Sequence, residues 1–390
     1  MRVLVIGAGP AGTRCAVRVA ERLPGATVTL CGAEPALPYD RVALSRWLSG
    51  ECEAEALLTH PLAVLRGLRI HYRPATRIAA LEGQEAVTDR GERIGFDRAV
   101  IATGSRAIRL DVPGSSLPGV HAYRTEAEVR AMLRTARDGG GAVVVGGGLL
   151  GLEAADGLAR RGMEVTVVHP VGWPMERQLD EGAGGLLAGR LRRRGIRFAM
   201  PAGLASIEGT HKVEAVTLTD GRRIPCRLVV MAVGIRPDTA LAEASGIAVG
   251  RGILTDATLR TSRPDVKAIG ECAEVEGRCI GLVAPALDQA EAAAARLAGE
   301  LALWTPRADS AALKVSGTAV WSAGEIAPEA EQVVLLDREE EHYRRLFLRE
   351  GRLVGAVLFG DVSGSRELME MIASRRQVGS RAALALGRAG

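Results

Sequence analysis

Lysine is almost missing from this chain. Only Lys212, Lys267 and Lys314 stand among its 50 basic residues, and arginine supplies the rest. Such a bias reflects base composition, because no long basic run with interleaved aromatics marks a nucleic-acid surface. Arg192, Arg193 and Arg194 read as the solvated end of a helix, where cations complement the dipole. Long apolar runs are lacking too: none approaches the ~18 residues of a membrane span, and Met1 is not followed by a basic stretch and a cleavage site. The expectation is a cytoplasmic protein that engages neither nucleic acid nor membrane. Cysteine is sparse and unpatterned. Cys15, Cys31, Cys52, Cys226, Cys272 and Cys279 form no Cys-x-x-Cys and no zinc or iron–sulfur spacing, which excludes a metal module of those kinds. Reduced thiols without a role are expected, Cys272 and Cys279 being the closest pair.

What is present is a repeated pattern. The 390 residues, 47% hydrophobic and 25% charged, suffice for two or three domains with full cores. An apolar strand, Val3 to Ile6, breaks into Gly7-Ala8-Gly9-Pro10-Ala11-Gly12, and a second, Ala142 to Val145, breaks into Gly146-Gly147-Gly148-Leu149-Leu150-Gly151. In each, the first glycine permits a tight turn, the second lets pyrophosphate approach the backbone, and the third packs helix on strand. The anion then sits on the positive end of the helix. One such hexapeptide arises easily by chance; two in matching context predict two bound dinucleotides and electron transfer between them.

After Gly12, Cys15, Ala16, Val19 and Leu23 recur at helical spacing, and Ala26 to Cys31 reads as a second strand. Glu34 follows at the distance of a ribose-binding acid, though a surface glutamate fits there as well. Residues 68–101 predict short strands and a hairpin. Thr125 and Glu128 form a capping box, and Gly139-Gly140-Gly141 ends its helix. The second fingerprint helix runs to about Arg161 and the next strand covers Glu164 to His169. Val213 to Leu218 and Ile224 to Ala232 read as a hairpin around Asp220-Gly221. Val266 to Glu271 returns the chain to its first domain, ahead of an alanine-rich helix from Pro285 to about Leu303. Strands at Gln332–Leu336, Arg344–Arg349 and Leu353–Phe359, with a turn at Glu350-Gly351, predict an antiparallel third domain, and the last dozen residues are expected to fray. The fold class is therefore α/β: two Rossmann-like domains and a carboxy-terminal α+β domain, divided as 1–110 and 250–308 (first), 111–249 (second) and 309–390 (third).

The order of first fingerprint, Ala102-Thr103-Gly104-Ser105, second fingerprint and Gly270-Glu271 resembles the two-dinucleotide flavoproteins, in which FAD occupies the first and last segments and NAD(P)H the middle. Tyr39 to Ser45, Met175 to Asp180, Gly270 to Cys272, Gly281 to Pro285, Leu313 to Gly317 and Leu353 to Val357 narrow the likeness to the amino-terminal flavin module of assimilatory NAD(P)H nitrite reductases. Those enzymes continue into iron–sulfur and sirohaem domains, whereas this chain stops at Gly390. The resemblance thus implies an electron donor that does not itself reduce nitrite, like the rubredoxin and ferredoxin reductases or the flavin subunit of an assimilatory nitrate reductase. Disulfide reductases of the superfamily keep a cysteine beside the flavin. Here Pro38 to Ser49 has none.

The same resemblance assigns roles. Gly7, Gly9, Pro10, Ala11 and Gly12 hold the FAD pyrophosphate, with Glu34 on its ribose, and Arg41 reaches the phosphate or flavin region unless it is only a loop cation. Ile78 meets adenine through its backbone or is plain core. Ala102, Thr103 and Gly104 close over the cofactor, and Glu271, after Gly270, replaces the aspartate usual in the superfamily, as the nitrite reductase module also does. Val283 to Pro285 lead into a helix whose positive end faces the flavin. Lys314 matches a flavin-contacting lysine in the rubredoxin reductases, or is merely exposed. Gly146, Gly148, Leu149, Leu150 and Gly151 hold NADH or NADPH, with Glu153 near the nicotinamide or serving only the helix dipole. The strand that should reveal the coenzyme ends at His169, with neither a ribose acid nor an arginine cluster. Coenzyme choice is open, with a lean to NADH. Flavin-mediated hydride transfer needs no acid–base dyad, and the implied partner is a separate redox protein: an iron–sulfur protein, a rubredoxin, or a nitrate or nitrite reductase catalytic subunit. Two other functions stay open: a disulfide reductase or NADH oxidase using Cys31 or Cys52, and a flavoprotein sensor that responds to NADH without feeding a catalyst.

Overall fold

A computed structural model describes residues 1–305, 310–315 and 317–385, with side chains omitted at 310–315, 382 and 385. The first domain is built on a five-stranded parallel sheet ordered Val266–Ala268, Arg98–Ile101, Arg2–Ile6, Thr27–Cys31, Ile70–Arg73. Apolar runs such as Val3-Leu4-Val5-Ile6 are buried on both faces, as a parallel sheet covered by helices requires. The second domain repeats the scheme in the order Arg197–Ala199, Glu164–Val168, Gly141–Val145, Leu228–Met231, Val120–Ala122. In both, the strand carrying the glycines lies inside the sheet, so the crevice at its carboxyl end is the expected ligand site.

Two connections join the domains, and they run side by side. Ser105–Ala107 leaves the first domain and Ile235–Pro237 returns to it, paired antiparallel. The return comes earlier than the expected boundary at residue 249, because Leu241, Ala242 and Ile247 already pack into the first core. The expected hairpin is also shorter. Ala215–Leu218 pairs with Arg223–Pro225, and Leu204–Glu208 adds a third strand, but Leu228–Met231 joins the parallel sheet beside Gly141–Val145. Pro225 breaks the run, since it has no amide to continue a ladder. The alanine-rich helix covers Val283–Leu297 and stops at Gly299, φ +88°, short of the expected Leu303.

The third domain is an antiparallel sheet ordered Ser310–Val315, Thr318–Gly324, Arg352–Phe359, His342–Arg349, Glu331–Asp337. Glu350 and Gly351, both at positive φ, make its predicted tight turn. The last five residues, 386–390, lie outside the described chain. Val320, Tyr343, Phe347, Val357 and Phe359 share one core with the second domain and with Tyr39, Leu44, Trp47 and Leu48 from the first. Arg190 and Arg193 each reach Glu341 of the third domain at 2.6 Å, and Arg194 reaches Asp156 at 3.3 Å. Arg192, Arg193 and Arg194 are exposed at the end of the Glu181–Arg193 helix, as expected of a solvated helix end, and Arg193 and Arg194 make their ion pairs from there. Among the described residues no helix is long and apolar enough to cross a membrane.

Candidate functional site

The two glycine turns are nearly the same object. Gly7 has φ +114° and Gly146 φ +117°, and a Cβ on either would lie 2.1 Å from Ala102 O or 2.3 Å from Ala232 O. Only glycine fits a left-handed backbone pressed against another main chain. At the third position a Cβ on Gly12 would lie 1.8 Å from Gly7 O, and one on Gly151 2.0 Å from Gly146 O. The middle glycines are the helix N-caps: nothing lies within 4 Å of a Cβ built on Gly148, and only Arg41 Nε, at 3.8 Å, approaches Gly9. Each turn thus opens on a cradle that side-chain atoms leave clear.

Among the described residues, the helices of eleven residues or more start in two ways. The helices Glu126–Ala136 and Glu181–Arg193 are capped by Thr125 and Asp180 and carry acids in their first turns. Pro10–Arg22, Leu149–Arg160 and Val283–Leu297 have no side-chain cap and no first-turn acid. Their free amides and positive ends stay available to an anion. The donor set fits a dinucleotide in each cradle, with the third helix end converging on the first one. There Gly270, at φ +77°, sets its Cβ position 3.1 Å from Ala11 and 4.0 Å from Ala286, and its amide donates to Gln289 at 2.7 Å. Val283 and Pro285 lie in the first turn of that helix.

Around the first cradle most of the expected residues come together. Glu34 accepts from Tyr39 Oη at 2.8 Å on one carboxylate oxygen and from Arg41 on the other, leaving each oxygen a further lone pair. Arg41 also donates to Arg124 O at 3.0 Å. Thr103 Oγ1 donates to Asp238 O at 2.7 Å, and Gly104 turns at φ +72° where the two interdomain connections meet. Glu271 accepts from Ser105 Oγ at 2.7 Å and from Arg124, which bridges it to the second domain. Ile78 keeps its side chain in the core, while the backbone leading to it runs beside Glu34 through Ala75 N to Glu34 O, 2.9 Å. Lys314 pairs with Ala319 in the third domain, and its side chain lies outside the described residues.

Tyr39, Ser45, Tyr123 and Arg124 carry this assembly without having been singled out as site residues. Tyr39 and Ser45 are the ends of the Tyr39 to Ser45 motif, whereas nothing in the pattern marks Arg124. The Ser45 hydroxyl, in the first turn of the Leu44–Ser49 helix, donates to Val42 O at 3.1 Å and stands beside Glu153 of the second fingerprint helix. Burial pushes the Glu153 carboxyl up to about 7, a shift the Ser45 hydroxyl opposes. The buried Tyr123 hydroxyl, which has no hydrogen-bond partner among the described residues, lies within electrostatic reach of the same carboxylate. Only three residues separate Ser45 from Arg41, so the mouth of the second cradle abuts the loop that lines the first. Leu48 extends the contact, 3.0 Å from a Cβ built on Gly157.

The thiols nearest the first cradle are buried: Cys272 directly follows Glu271, and Gly7 N donates to Cys31 O at 2.8 Å. All six are free, Cys15, Cys31, Cys226 and Cys272 are buried, and burial pushes Cys31 up to about 11 and Cys15 up to about 12. Cys272 points its sulfur at Ile269 O, 3.2 Å away. None of these four has the exposed, electropositive setting that makes a thiolate. Among the described residues no His, Cys, Asp and Glu cluster could hold a metal ion.

Residues 1–295 match the family model "Pyridine nucleotide-disulphide oxidoreductase", and residues 310–376 match "Rubredoxin NAD+ reductase C-terminal domain". The chain is 33% identical to the assimilatory nitrate reductase electron transfer subunit of Bacillus subtilis over 97% of its own length and 50% of that protein. It is 38% identical to the nitrite reductase [NAD(P)H] of the same organism, over 95% of this chain and 47% of that one. It thus spans about half the length of these curated relatives. The crystal structure of a ferredoxin reductase for the CYP199A2 system from Rhodopseudomonas palustris matches with a TM-score of 0.84 at 30% identity, covering 92% of this chain and 91% of that one.

Proposed function

The chain belongs to the pyridine nucleotide-disulphide oxidoreductase family, and from that membership we propose that it is an FAD-dependent NAD(P)H reductase supplying a separate redox protein in nitrate or nitrite assimilation. One observation carries the reading: the Leu44–Ser49 helix, just after the Arg41 that lines the first cradle, packs on the helix of the second, with Leu48 3.0 Å from a Cβ built on Gly157. When bound, flavin accepts two electrons as hydride from the nicotinamide and can release them singly, which is the cofactor's own chemistry.

The chain's residues position and shield. Gly7, Gly9 and Gly12 with the Pro10–Arg22 amides take the FAD pyrophosphate, and Gly146, Gly148 and Gly151 with the Leu149–Arg160 amides take that of the nicotinamide coenzyme. Glu34 accepts from a ribose, and Arg41, already near Gly9, supplies positive charge. Glu271, held by Ser105 and Arg124, fixes the far side, and the Val283–Leu297 helix directs its positive end where negative charge accumulates on reduction. Glu153, uncharged more readily than an ordinary carboxylate, lets the coenzyme approach without repulsion. Burial of Cys15, Cys31, Cys226 and Cys272 speaks against disulfide chemistry at those four, Cys52 and Cys279 being half-buried, and the reading sets the reaction in the cytoplasm, where thiols stay reduced.

The test is purification followed by acceptor assays. The protein should carry FAD and reduce an iron–sulfur or nitrate reductase partner with saturation kinetics at NADH expense. Reduction of disulfides in place of such partners overturns the proposal.

A further inference from the structure

We propose that Glu176 determines coenzyme choice, selecting NADH against NADPH by standing in for the ribose acid that the second domain lacks at its strand end; this rests on the coenzyme reading of that cradle. In such a domain the residue closing the second strand normally presents a carboxylate to the adenosine 2′-hydroxyl. Here the strand Glu164–Val168 is followed by His169, whose side chain is only 6% exposed.

The ring is fixed from both sides. Gly147 N–H, in the middle of the glycine turn, donates to His169 Nδ1 at 3.1 Å. With that lone pair taken by a donor, the ring's single proton sits on Nε2, and it is directed at Glu176 Oε2, 3.0 Å away. An imidazole in that tautomer brings no charge to the place where a 2′-phosphate would need a cation. What reaches solvent is the Glu176 carboxylate, 31% exposed, which accepts from the neutral His169 ring and pairs with no arginine or lysine among the described residues. One accepted proton leaves it free to accept another from a ribose hydroxyl.

The chain bends to achieve this. Met175 is fully buried yet sits at φ +58°, a conformation L residues rarely adopt, and its amide donates to Gly147 O at 2.9 Å. Residues 169 and 175 therefore clasp the same glycine, and the turn between them returns Glu176 to the strand end. A 2′-hydroxyl satisfies that carboxylate, and a 2′-phosphate meets it with like charge. Arg177, exposed beside it, is the residue that would favour the phosphate if it faced the same ribose.

Calorimetric titration of the FAD-loaded protein with ADP-ribose and with 2′-phospho-ADP-ribose isolates this contact, since the two differ only at the 2′ position and neither undergoes hydride transfer. Wild type should bind ADP-ribose at least about tenfold more tightly, and Glu176→Gln, which keeps an acceptor for His169, should bring the two within about threefold. Glu176→Arg should invert the preference, and adding His169→Glu to Glu176→Gln should restore it. An unchanged flavin spectrum and melting temperature show that each variant is folded. Equal ratios in wild type and Glu176→Gln, or a preference governed by Arg177→Ala instead, overturn the assignment. If wild type binds neither compound, the coenzyme reading of the cradle falls first and this inference with it.

Discussion

Tyr343 Oη donates to Asp180 Oδ2 at 2.6 Å, from the third domain into the second. The same oxygen takes Arg345 Nη1 at 2.6 Å and caps Gly182 N at 3.3 Å, and the Asp180 side chain is only 5% exposed. One carboxylate thus starts a helix and anchors a domain. Asp180→Ala should cost about 3 kcal/mol, because it leaves Arg345 without its counter-ion, whereas Tyr343→Phe should cost about 1 kcal/mol. Thermal melts monitored alongside limited proteolysis check this: the alanine variant should release the third domain first. Equal effects of the two changes would contradict a shared buried anchor.

The duplicate turns allow a paired test. Gly7→Ala and Gly146→Ala each force a Cβ to 2.1 Å or 2.3 Å from a backbone oxygen at positive φ. The first should yield protein that loses FAD on gel filtration. The second should stay yellow while its flavin is no longer reduced by NADH, read by absorbance. Loss of flavin from both in equal measure would deny that the cradles hold different nucleotides.

Glu153 should make stability pH-dependent. A carboxyl raised on folding from 4.5 to about 7 adds stability that is fully present below the lower value and is lost as pH rises through the upper one. Partial solvent screening leaves on the order of 2 kcal/mol across that window. Glu153→Gln, which mimics the protonated form, should flatten the melting-temperature profile there. A profile unchanged by the substitution counts against burial as the cause.

Thiol chemistry should be dispensable. Cys31→Ser and Cys52→Ser are expected to retain reductase turnover, and native protein should react slowly with thiol reagents at its four buried cysteines. Abolished turnover in either variant would revive the disulfide reductase alternative.

Much of this architecture is written locally. Gly7 and Gly146 announce themselves because no other residue fits their backbone, and the Thr125–Glu128 box closes within one helical turn. The strand ends were readable for the same reason, as apolar runs bounded by glycine. Contacts between distant segments were not. Asp180 lies 163 residues from Tyr343, and Arg124 lies 147 from Glu271, so no periodicity joins them. His169 was legible only as a missing acid; its partner Glu176 is near in sequence, but the left-handed Met175 that turns it back has no sequence signature. Pro225, which divides the expected hairpin, is itself a local signal, since a residue without an amide cannot extend a ladder.

Anaerobic stopped-flow mixing tests the central claim most directly. With excess NADH the flavin absorbance of the purified protein should bleach within one fast phase, and adding an oxidised one-electron acceptor should restore it. A flavin band that stays unchanged with both NADH and NADPH would contradict stacked contact between the two cradles.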